Sequence, residues 1–405
     1  MTSLDQPHST SLHIAVADSA RFGIITLIAF LTLVDLFAAQ AILPSLVQKF
    51  GVSRATMGFA VNASTFGMAI AGIAVALFGR NIDRRNGIWI SLAVLAVPTM
   101  LLSMTDDITA FALLRVAQGL CMSTAFTLTM AYLSEHFSPG QATGALAAYV
   151  TGNVASNFFG RIMSAAVADT FGISTNFLTF AGLNLAGAGL VWLTLKKTER
   201  MIATGGSIPG MHAWTAHFGD RQLRNAFGIG FLILFVFIGT FTYVNFQLTA
   251  APISLSPMAL GLVYFVFLPS MITTPLAGRV ARRFGPKNGV ALTLGAAIVG
   301  LAAMLTTSLS VVLVGMALVA SGTFLAQAIA TGHVGRTATR EKAAASGIYL
   351  ASYYAGGLIG SLVLGQVFDR VGWAACVALL IGVLVVAIAL ARALAAPAAD
   401  NHTAK

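Results

Sequence analysis

Long apolar segments, separated by short polar connections, dominate the chain. Each apolar segment has roughly 18 to 26 residues, which is the length that a helix needs to cross the hydrocarbon core of a bilayer. Alternation of apolar and polar residues between regular turns is not visible, so the pattern predicts an all-α integral membrane protein rather than a barrel. We predict twelve spans, numbered 1 to 12 in chain order: 21–43, 57–78, 88–104, 109–134, 142–167, 176–195, 223–250, 257–277, 288–306, 310–333, 344–367 and 374–395.

The composition agrees with this pattern. Of the 405 residues, 57% are hydrophobic and only 9% are charged, whereas soluble domains contain about 25% charged residues. The two cysteines, Cys121 and Cys376, both lie inside apolar segments, so no disulfide framework is predicted. Residues 1–20 lack the basic start and the short apolar stretch of a cleavable signal, and we therefore expect span 1 to stay in the mature protein.

The basic residues indicate how the chain is oriented in the membrane. The sequence has 23 Lys and Arg against 13 Asp and Glu, a net charge of +10. With both termini in the cytoplasm, 18 of the 23 basic residues fall in cytoplasmic tails and connections, as the positive-inside rule requires. The sequence thus predicts a multi-pass protein of a bacterial-type inner (plasma) membrane with both termini cytoplasmic. The sequence has no basic arm or basic helix that would indicate nucleic-acid binding. Apart from a small-molecule substrate, the expected partner is the lipid bilayer.

The spans fall into two groups of six. Residues in spans 5 and 11 repeat at an offset of about 200 positions, since Gly160, Asp169 and Gly172 correspond to Gly360, Asp369 and Gly372. Parallel repeats of this kind are typical of transporters whose halves rock around a central site. The predicted organisation is a cytoplasmic tail, a six-helix bundle, a cytoplasmic linker, a second six-helix bundle and a second tail: 1–20, 21–195, 196–222, 223–395 and 396–405.

Several motifs resemble signatures of the major facilitator superfamily. The connection after span 2, Gly79-Arg80-Asn81-Ile82-Asp83-Arg84-Arg85, is similar to the loop signature of that family, and residues 278–285 after span 8 form a degenerate second copy. Arg115-Val116-Ala117-Gln118-Gly119 in span 4 resembles the Arg-x-x-Gln-Gly motif of the family. Asp35 in span 1, nine residues before Pro44, resembles the acid of its drug:proton antiporter branch. The resemblance implies two six-helix bundles related by a pseudo-two-fold axis, in a 12-span carrier like the drug:proton antiporters and sugar exporters.

Two positions depart from the patterns of the family. Asn86 stands where the loop signature usually has glycine. Span 5 contains Gly152-Asn153 and Gly160-Arg161, where the antiporter motif has Gly-Pro, so arginine replaces that proline.

Three charged residues inside the spans are the candidates for proton coupling. Asp35 is the one acidic residue that we place well within a span, and intramembrane carboxylates usually face the bundle interior and mark ion pathways. Desolvation favours the neutral form of a carboxylic acid, so Asp35 is predicted to bind and release a proton or to contact the substrate. The alternative is a solvated or paired carboxylate nearer the outer interface. Arg115 and Arg161 keep their charge at any depth and need partners. Arg115 fits either a functional role, as a relay of protonation or a contact to an anionic substrate group, or a structural clamp on backbone carbonyls. Arg161 fits a substrate contact, the seam of spans 5 and 8, or Asp35 itself.

Other polar and aromatic side chains within the spans are candidates for a substrate cavity between spans 1, 4, 5, 7, 8, 10 and 11. Lipid does not hydrate polar groups, so such groups face a cavity or hydrogen-bond to another helix, and the sequence leaves both alternatives open. The predicted cavity residues are Phe37, Gln118, Asn153, Tyr243, Asn245, Gln247, Gln327, Tyr349 and Tyr353.

The loop motif predicts a conformational latch. A carboxylate such as that of Asp83 is favoured at a helix N-terminus, and Arg84 is positioned to pair with an acid such as Glu135. We expect these contacts to hold one access state and to break when the halves rock. The predicted latch residues are Gly79, Asp83, Arg84, Gly278 and Arg283.

These features together predict a secondary active transporter. No zincin, serine-hydrolase or Walker motif is present, and no His, Cys and acid cluster has metal-ligand spacing, so neither an enzyme nor a metal site is predicted. The favoured function is proton-coupled efflux (antiport) of a small drug-like or amphipathic compound by alternating access. The alternative is proton-coupled uptake (symport) of an organic anion or another small metabolite, and a channel or a membrane enzyme is more remote. The proton is the expected coupling ion, no cofactor is expected, and the chain is expected to act as a monomer.

Overall fold

A computed structural model of the chain describes residues 8–78, 82–137, 139–197, 216–338 and 342–394. Ten segments of this part of the chain are long and apolar enough to cross a membrane. One of them, Pro257–Ala303, has 47 residues and is interrupted at Gly285, so it contains both span 8 and span 9. The 33-residue helix Pro139–Phe171 occupies the place of span 5. The prediction of an all-α, multi-pass membrane protein is therefore confirmed.

Most spans are single helices, and spans 2 and 8 are built from several pieces. Span 2 is interrupted at Ala63, and span 8 contains two 3-10 turns, Tyr264–Phe267 and Thr274–Leu276. Pro269 and Pro275 lie in that stretch, and their missing N–H groups remove α-helical hydrogen bonds. The helices of spans 1 to 12 are His8–Ala41; Arg54–Asn62 and Ser64–Phe78; Arg84–Leu102; Ile108–His136; Pro139–Phe171; Ile173–Thr194; Arg221–Thr249; Pro257–Val263 and Leu268–Thr273; Ala277–Ala303, whose first eight residues belong to span 8; Leu309–Thr337; Lys342–Val371; and Trp373–Ala391.

The two halves have the same internal geometry. Span 5 packs along span 1, and span 11 packs in the same way along span 7. A Cβ atom on Gly160 would lie 2.9 Å from the carbonyl oxygen of Val34, and one on Gly360 would lie 2.6 Å from that of Phe235. Glycine therefore allows the close approach of the helix pair in each half.

The connections to the last span of each half are equivalent too. Gly172 and Gly372 precede spans 6 and 12 with φ values of 88° and 98°, in the left-handed region that favours glycine. The correspondence predicted between the halves thus extends to backbone conformation.

The halves meet mainly along spans 2 and 11 and along spans 5 and 8, and span 7 makes smaller contacts with spans 1 and 2. We call the side of the membrane on which span 2 ends and span 3 begins the linker side, because span 6 ends and span 7 begins on the same side. The opposite side, with the short helix Leu43–Phe50 between spans 1 and 2, is called the far side. In the predicted orientation, the linker side is the cytoplasmic side.

Candidate functional site

The Asp35 carboxylate lies inside the N-terminal half, away from the seam between the halves. The residue is only 3% exposed. Its Oδ2 accepts a hydrogen bond from Asn184 Nδ2 of span 6 at 2.7 Å, and it lies 3.1 Å from Thr99 Oγ1 of span 3. Both neighbours are neutral, and the described residues place no cation within ion-pair distance of the carboxylate. This environment is compatible with both a charged and a protonated carboxyl group.

Arg115 acts as a clamp on the backbone. It is 1% exposed and donates five hydrogen bonds, which use all five N–H donors of its guanidinium group. The bonds run at 2.7 to 3.2 Å to the carbonyl oxygens of Asp35, Leu36 and Val61, to Ser64 Oγ and to Gln118 Oε1. Of the two alternatives that the sequence left open, the geometry favours the structural clamp.

A chain of hydrogen bonds nevertheless connects this clamp to Asp35. Gln118, which accepts from Arg115, donates from Nε2 to Thr99 Oγ1 at 2.7 Å. Thr99 in turn contacts the Asp35 carboxylate. Gln118, predicted to line the cavity, is thus a buried link in this chain.

Arg161 has a different environment. The side chain is fully buried at the seam of spans 5 and 8, one of the positions that the sequence allowed, and it makes no contact with the Asp35 carboxylate. Its Nη2 donates to Gln40 Oε1 of span 1, whereas Nε and Nη1 have no hydrogen-bond partner. The rings around its guanidinium carbon, at centroid distances of 4.5 to 5.5 Å, are Tyr264, Phe267, Phe37 and Phe241.

We call these four rings the aromatic cage. Phe37 belongs to the N-terminal half, and the other three rings come from spans 7 and 8 of the C-terminal half. A cation within about 6 Å of a ring centroid is attracted by the negative face of the ring. The cage therefore lowers the cost of burying the Arg161 charge, and it also holds the two halves together.

Span 5 presents further polar groups on the same face as Arg161. Asn157 and Asn153 precede it by four and eight residues, so they lie one and two helical turns closer to the linker side. Asn157 is 2% exposed, and the Oδ1 atoms of both asparagines have no hydrogen-bond partner. Ser164, one turn toward the far side, is buried, and its Oγ also has no partner. We call these four residues, Asn153, Asn157, Arg161 and Ser164, the span-5 stripe.

A network of hydrogen bonds between the halves lies toward the far side, and we call it the far-side seal. Asn62 of span 2 donates from Nδ2 to Thr242 Oγ1 at 3.0 Å and to Ser361 Oγ at 3.1 Å, both in the C-terminal half. Its Oδ1 accepts from Gln40 Nε2 at 2.6 Å. Asn245 of span 7 donates from Nδ2 to the Gln40 carbonyl oxygen at 2.8 Å. The far side is therefore closed in this structure.

Two residues predicted to line the cavity belong to this closed region. Tyr243 donates to the Ser361 carbonyl oxygen at 2.8 Å, and Asn245 Oδ1 accepts from Tyr264 at 2.7 Å. At the edge of the same region, Asp369 Oδ2 of span 11 accepts from the backbone N–H of Ala55 at 3.0 Å, at the start of span 2. In this state, these side chains close the far side.

The remaining predicted cavity residues are divided between packed and partly open positions. Tyr349 and Tyr353 are buried and stacked on each other in span 11, with centroids 6.2 Å apart, and Tyr349 packs against Gly230 of span 7. Gln247 and Gln327 are partly exposed. The structure therefore places Phe37 against Arg161, and Asn153 two helical turns from Arg161 on the same helix.

The predicted latch contacts are partly present. Asp83 accepts a hydrogen bond from the backbone N–H of Asn86 at 2.7 Å, so it is the N-cap of the helix of span 3, which begins at Arg84. Arg84 donates to both carboxylate oxygens of Glu135 at 2.9 and 3.1 Å. These contacts stay within the N-terminal half, and their role as a latch stays a prediction.

The second copy of the motif contains the predicted latch residues Gly278 and Arg283. Arg283 lies 5.4 Å from the ring of its neighbour Phe284, and Gly278 lies in the helix that begins at Ala277. Gly79 lies outside the described residues.

Sequence reasoning missed Asn157, Gln40, Asn62 and the two rings of span 8. The spacing of Asn157, one helical turn from Arg161, was a usable signal, because residues four apart share a helix face. Gln40 and Asn62 were also visible as polar residues inside predicted spans. The positions of Tyr264 and Phe267 depend on the packing of span 8 against span 5, which no local pattern shows.

Comparison with known proteins agrees with this architecture. Residues 25–267 and 245–405 match the Major Facilitator Superfamily, and the chain belongs to this family of membrane transporters. It is 28% identical over 354 residues to the inner membrane transport protein YnfM of Escherichia coli K12, which covers 87% of this chain and 85% of YnfM. It is 25% identical over 370 residues to the uncharacterized MFS-type transporter YybF of Bacillus subtilis 168, which covers 90% of this chain and 91% of YybF.

A solved structure shows the same fold. The chain superposes with a TM-score of 0.72 and 14% identity on a bacterial homologue of the human lysosomal transporter Spinster, in an inward-facing and occupied conformation. The superposition covers 92% of this chain and 96% of that one. The prediction of a major facilitator fold with two six-helix bundles is confirmed.

Proposed function

We propose that this transporter exports a small amphipathic compound in exchange for protons, and that Asp35 carries the proton. The observation that supports the proposal is the connection between Asp35 and the seam of the halves. The chain of hydrogen bonds from Asp35 passes through Thr99 and Gln118 to Arg115. Arg115 holds the carbonyl oxygen of Val61, the residue before Asn62 of the far-side seal.

This connection supplies a mechanism for coupling. An ionised Asp35 accepts hydrogen bonds, whereas a protonated one also donates, so protonation reorders the bonds of Thr99 and Gln118. Arg115 passes that change to spans 1 and 2, whose side chains Gln40 and Asn62 close the far side. Coupling requires only that protonation changes the relative stability of the two access states.

The direct test uses Asp35→Asn in inside-out membrane vesicles with an acidic lumen. Chloramphenicol, a neutral compound, and benzenesulfonate, a permanent anion, are added outside, and lumenal pH is followed with an acridine dye. A compound that enters in exchange for protons raises the lumenal pH with the unmodified protein. We expect Asp35→Asn to abolish this change, because asparagine does not ionise.

The matched control is Asp106→Asn, which neutralises an exposed carboxylate on the far side. This variant is expected to behave like the unmodified protein, and folded protein in the membrane is quantified for all three. Equal proton release by Asp35→Asn and the unmodified protein would remove Asp35 from the mechanism.

Uptake of an organic anion together with protons is the second candidate function. It is favoured by Arg161, which is buried and has unpartnered N–H donors without a carboxylate partner among the described residues. The same vesicles separate the two candidates. An antiporter releases protons when the compound is outside the vesicles, whereas a symporter releases them only when the compound is loaded in the lumen.

A further inference from the structure

Arg161 has more hydrogen-bonding capacity than the protein uses. A guanidinium group carries five N–H donors, and the donors on Nε and Nη1 have no partner although the side chain is fully buried. Arg115, equally buried in the same half, has all its donors satisfied. Burial alone therefore does not explain the free donors of Arg161.

The aromatic cage compensates the charge of Arg161 but cannot satisfy its donors. Ring faces attract a cation, yet they are weak acceptors compared with a carboxylate, which forms short, charge-assisted hydrogen bonds with a guanidinium group. Gln40 is the one acceptor bonded to Arg161 among the described residues. The unpartnered donors thus fit a carboxylate from outside the protein.

The span-5 stripe adds a second requirement. The Oδ1 atoms of Asn157 and Asn153 are acceptors without partners, and side chains four residues apart on a helix lie about 5–6 Å from each other. A ligand with a hydroxyl group at that distance from its carboxylate satisfies both kinds of group. One unpaired positive charge also favours a single negative charge, because a second one would be buried without a partner.

We propose that Arg161, its cage and the asparagines of the stripe bind an aromatic monocarboxylate, with the carboxylate on Arg161 and a hydroxyl group on Asn157. The inference rests on the proposed function in one respect: it requires a carrier that binds its ligand at the seam where the two halves meet. It does not depend on the direction of transport or on coupling to protons. The site includes Phe37 from one half and Phe241 from the other, so the ligand contacts both halves.

Equilibrium binding to the purified, full-length protein in detergent tests this inference. The probes are 4-hydroxybenzoate, benzoate and 4-hydroxybenzamide, measured by titration calorimetry. We expect 4-hydroxybenzoate to bind, and 4-hydroxybenzamide, which lacks the charge, to bind at least about tenfold more weakly, as loss of a charge-assisted hydrogen bond predicts. Benzoate is expected to bind less tightly than 4-hydroxybenzoate, and Asn157→Ala is expected to remove that difference.

Arg161→Gln is expected to weaken binding of 4-hydroxybenzoate about tenfold or more. Arg161→Lys keeps the charge but loses the planar guanidinium donors. Its affinity for 4-hydroxybenzoate is therefore expected to lie between those of the unmodified protein and Arg161→Gln. The matched control is Arg54→Gln on the exposed far side, where Arg54 lies 5.6 and 5.5 Å from the rings of Phe246 and Phe368. This control also removes an arginine between aromatic rings and is expected to leave affinity unchanged.

Three results would overturn the inference: no binding of either carboxylate to the folded protein, equal affinity for 4-hydroxybenzoate and 4-hydroxybenzamide, or unchanged affinity in Arg161→Gln. If Arg161→Gln does not fold, the comparison of the two probes and Arg161→Lys still decides. The binding assay uses no gradient, so its failure is separate from failure of the proposed function. Unchanged proton release by Asp35→Asn together with intact binding would reject only the proton mechanism. Loss of proton release by Asp35→Asn without binding of either carboxylate would reject only the carboxylate site.

Discussion

Replacing Asn62 with alanine should open the far side. The substitution removes the hydrogen bonds that Asn62 Nδ2 donates to Thr242 and Ser361 across the halves; the same amide also donates to the carbonyl oxygen of Gly58 at 2.8 Å, so its two hydrogens are shared among three acceptors. Side-chain hydrogen bonds between helices in a membrane contribute about 0.6 kcal/mol each on average, so the state closed on the far side loses at most about 1.2 kcal/mol. This corresponds to a fall of at most about sevenfold in the ratio of closed to open molecules. The bond from Gln40 stays within the N-terminal half and is not counted.

Distances between spin labels on the far side measure this ratio. Asp106 and Thr307 lie in the far-side connections of the two halves, between spans 3 and 4 and between spans 9 and 10, and both are exposed. Cysteines at these positions are labelled after Cys121 and Cys376 have been replaced by serine. We expect Asn62→Ala to increase the population with the longer distance.

Thr179→Ala provides the control for this measurement. Thr179 is partly exposed, and its hydroxyl group donates only to the carbonyl oxygen of Thr175 in its own helix. Its removal is expected to leave the distances unchanged. An Asn62→Ala protein with the distance distribution of this control would refute the assignment of Asn62 to a seal between the halves.

Three further substitutions test packing and charge. Gly119→Ala places a Cβ 1.9 Å from a carbonyl oxygen of span 2, and we expect this overpacking to cost about 1–3 kcal/mol and to lower the midpoint of thermal unfolding. Gly182 faces open space, so the control Gly182→Ala is expected to leave the midpoint unchanged. Arg115→Gln leaves backbone carbonyls without donors at about 1–3 kcal/mol each, so a lower yield of monodisperse protein is expected in size-exclusion chromatography. Glu135→Gln breaks a partly exposed ion pair with Arg84 worth about 0.2–1 kcal/mol; a shift of the midpoint as large as that of Gly119→Ala would contradict this estimate.

The fold was largely predictable because membrane spans have a strong one-dimensional signal. A helix that crosses lipid must satisfy its own backbone, so length and hydropathy alone mark its position. The predicted span boundaries were less accurate, and breaks within a span were missed, where the backbone hydrogen bonds of a helix are interrupted. Span 2 starts at Arg54, three residues before the predicted 57, and breaks at Ala63. Span 8 is divided by 3-10 turns near Pro269 and Pro275.

The candidate site was only partly predictable, because hydropathy does not show which face of a helix meets which neighbour. Asp35 was expected to face the bundle interior, and it lies inside the N-terminal half against Asn184 and Thr99, which the sequence did not identify as its partners. Phe37 and Gln40 of the same helix face the seam instead. Helical periodicity separates these positions, yet packing decides which of them faces the other half.

The 3-10 turn of span 8 gives the aromatic cage a property of its own. Side chains three residues apart eclipse in a 3-10 helix, and Tyr264 and Phe267 are accordingly stacked, with an angle of 9° between their rings. Conversion of this turn to α-helix would rotate Phe267 relative to Tyr264 by about 60° about the helix axis. One ring would leave Arg161 without any rigid-body movement of the halves. A local change of helix type would therefore be enough to alter the ring contacts of Arg161 on the scale of a single turn.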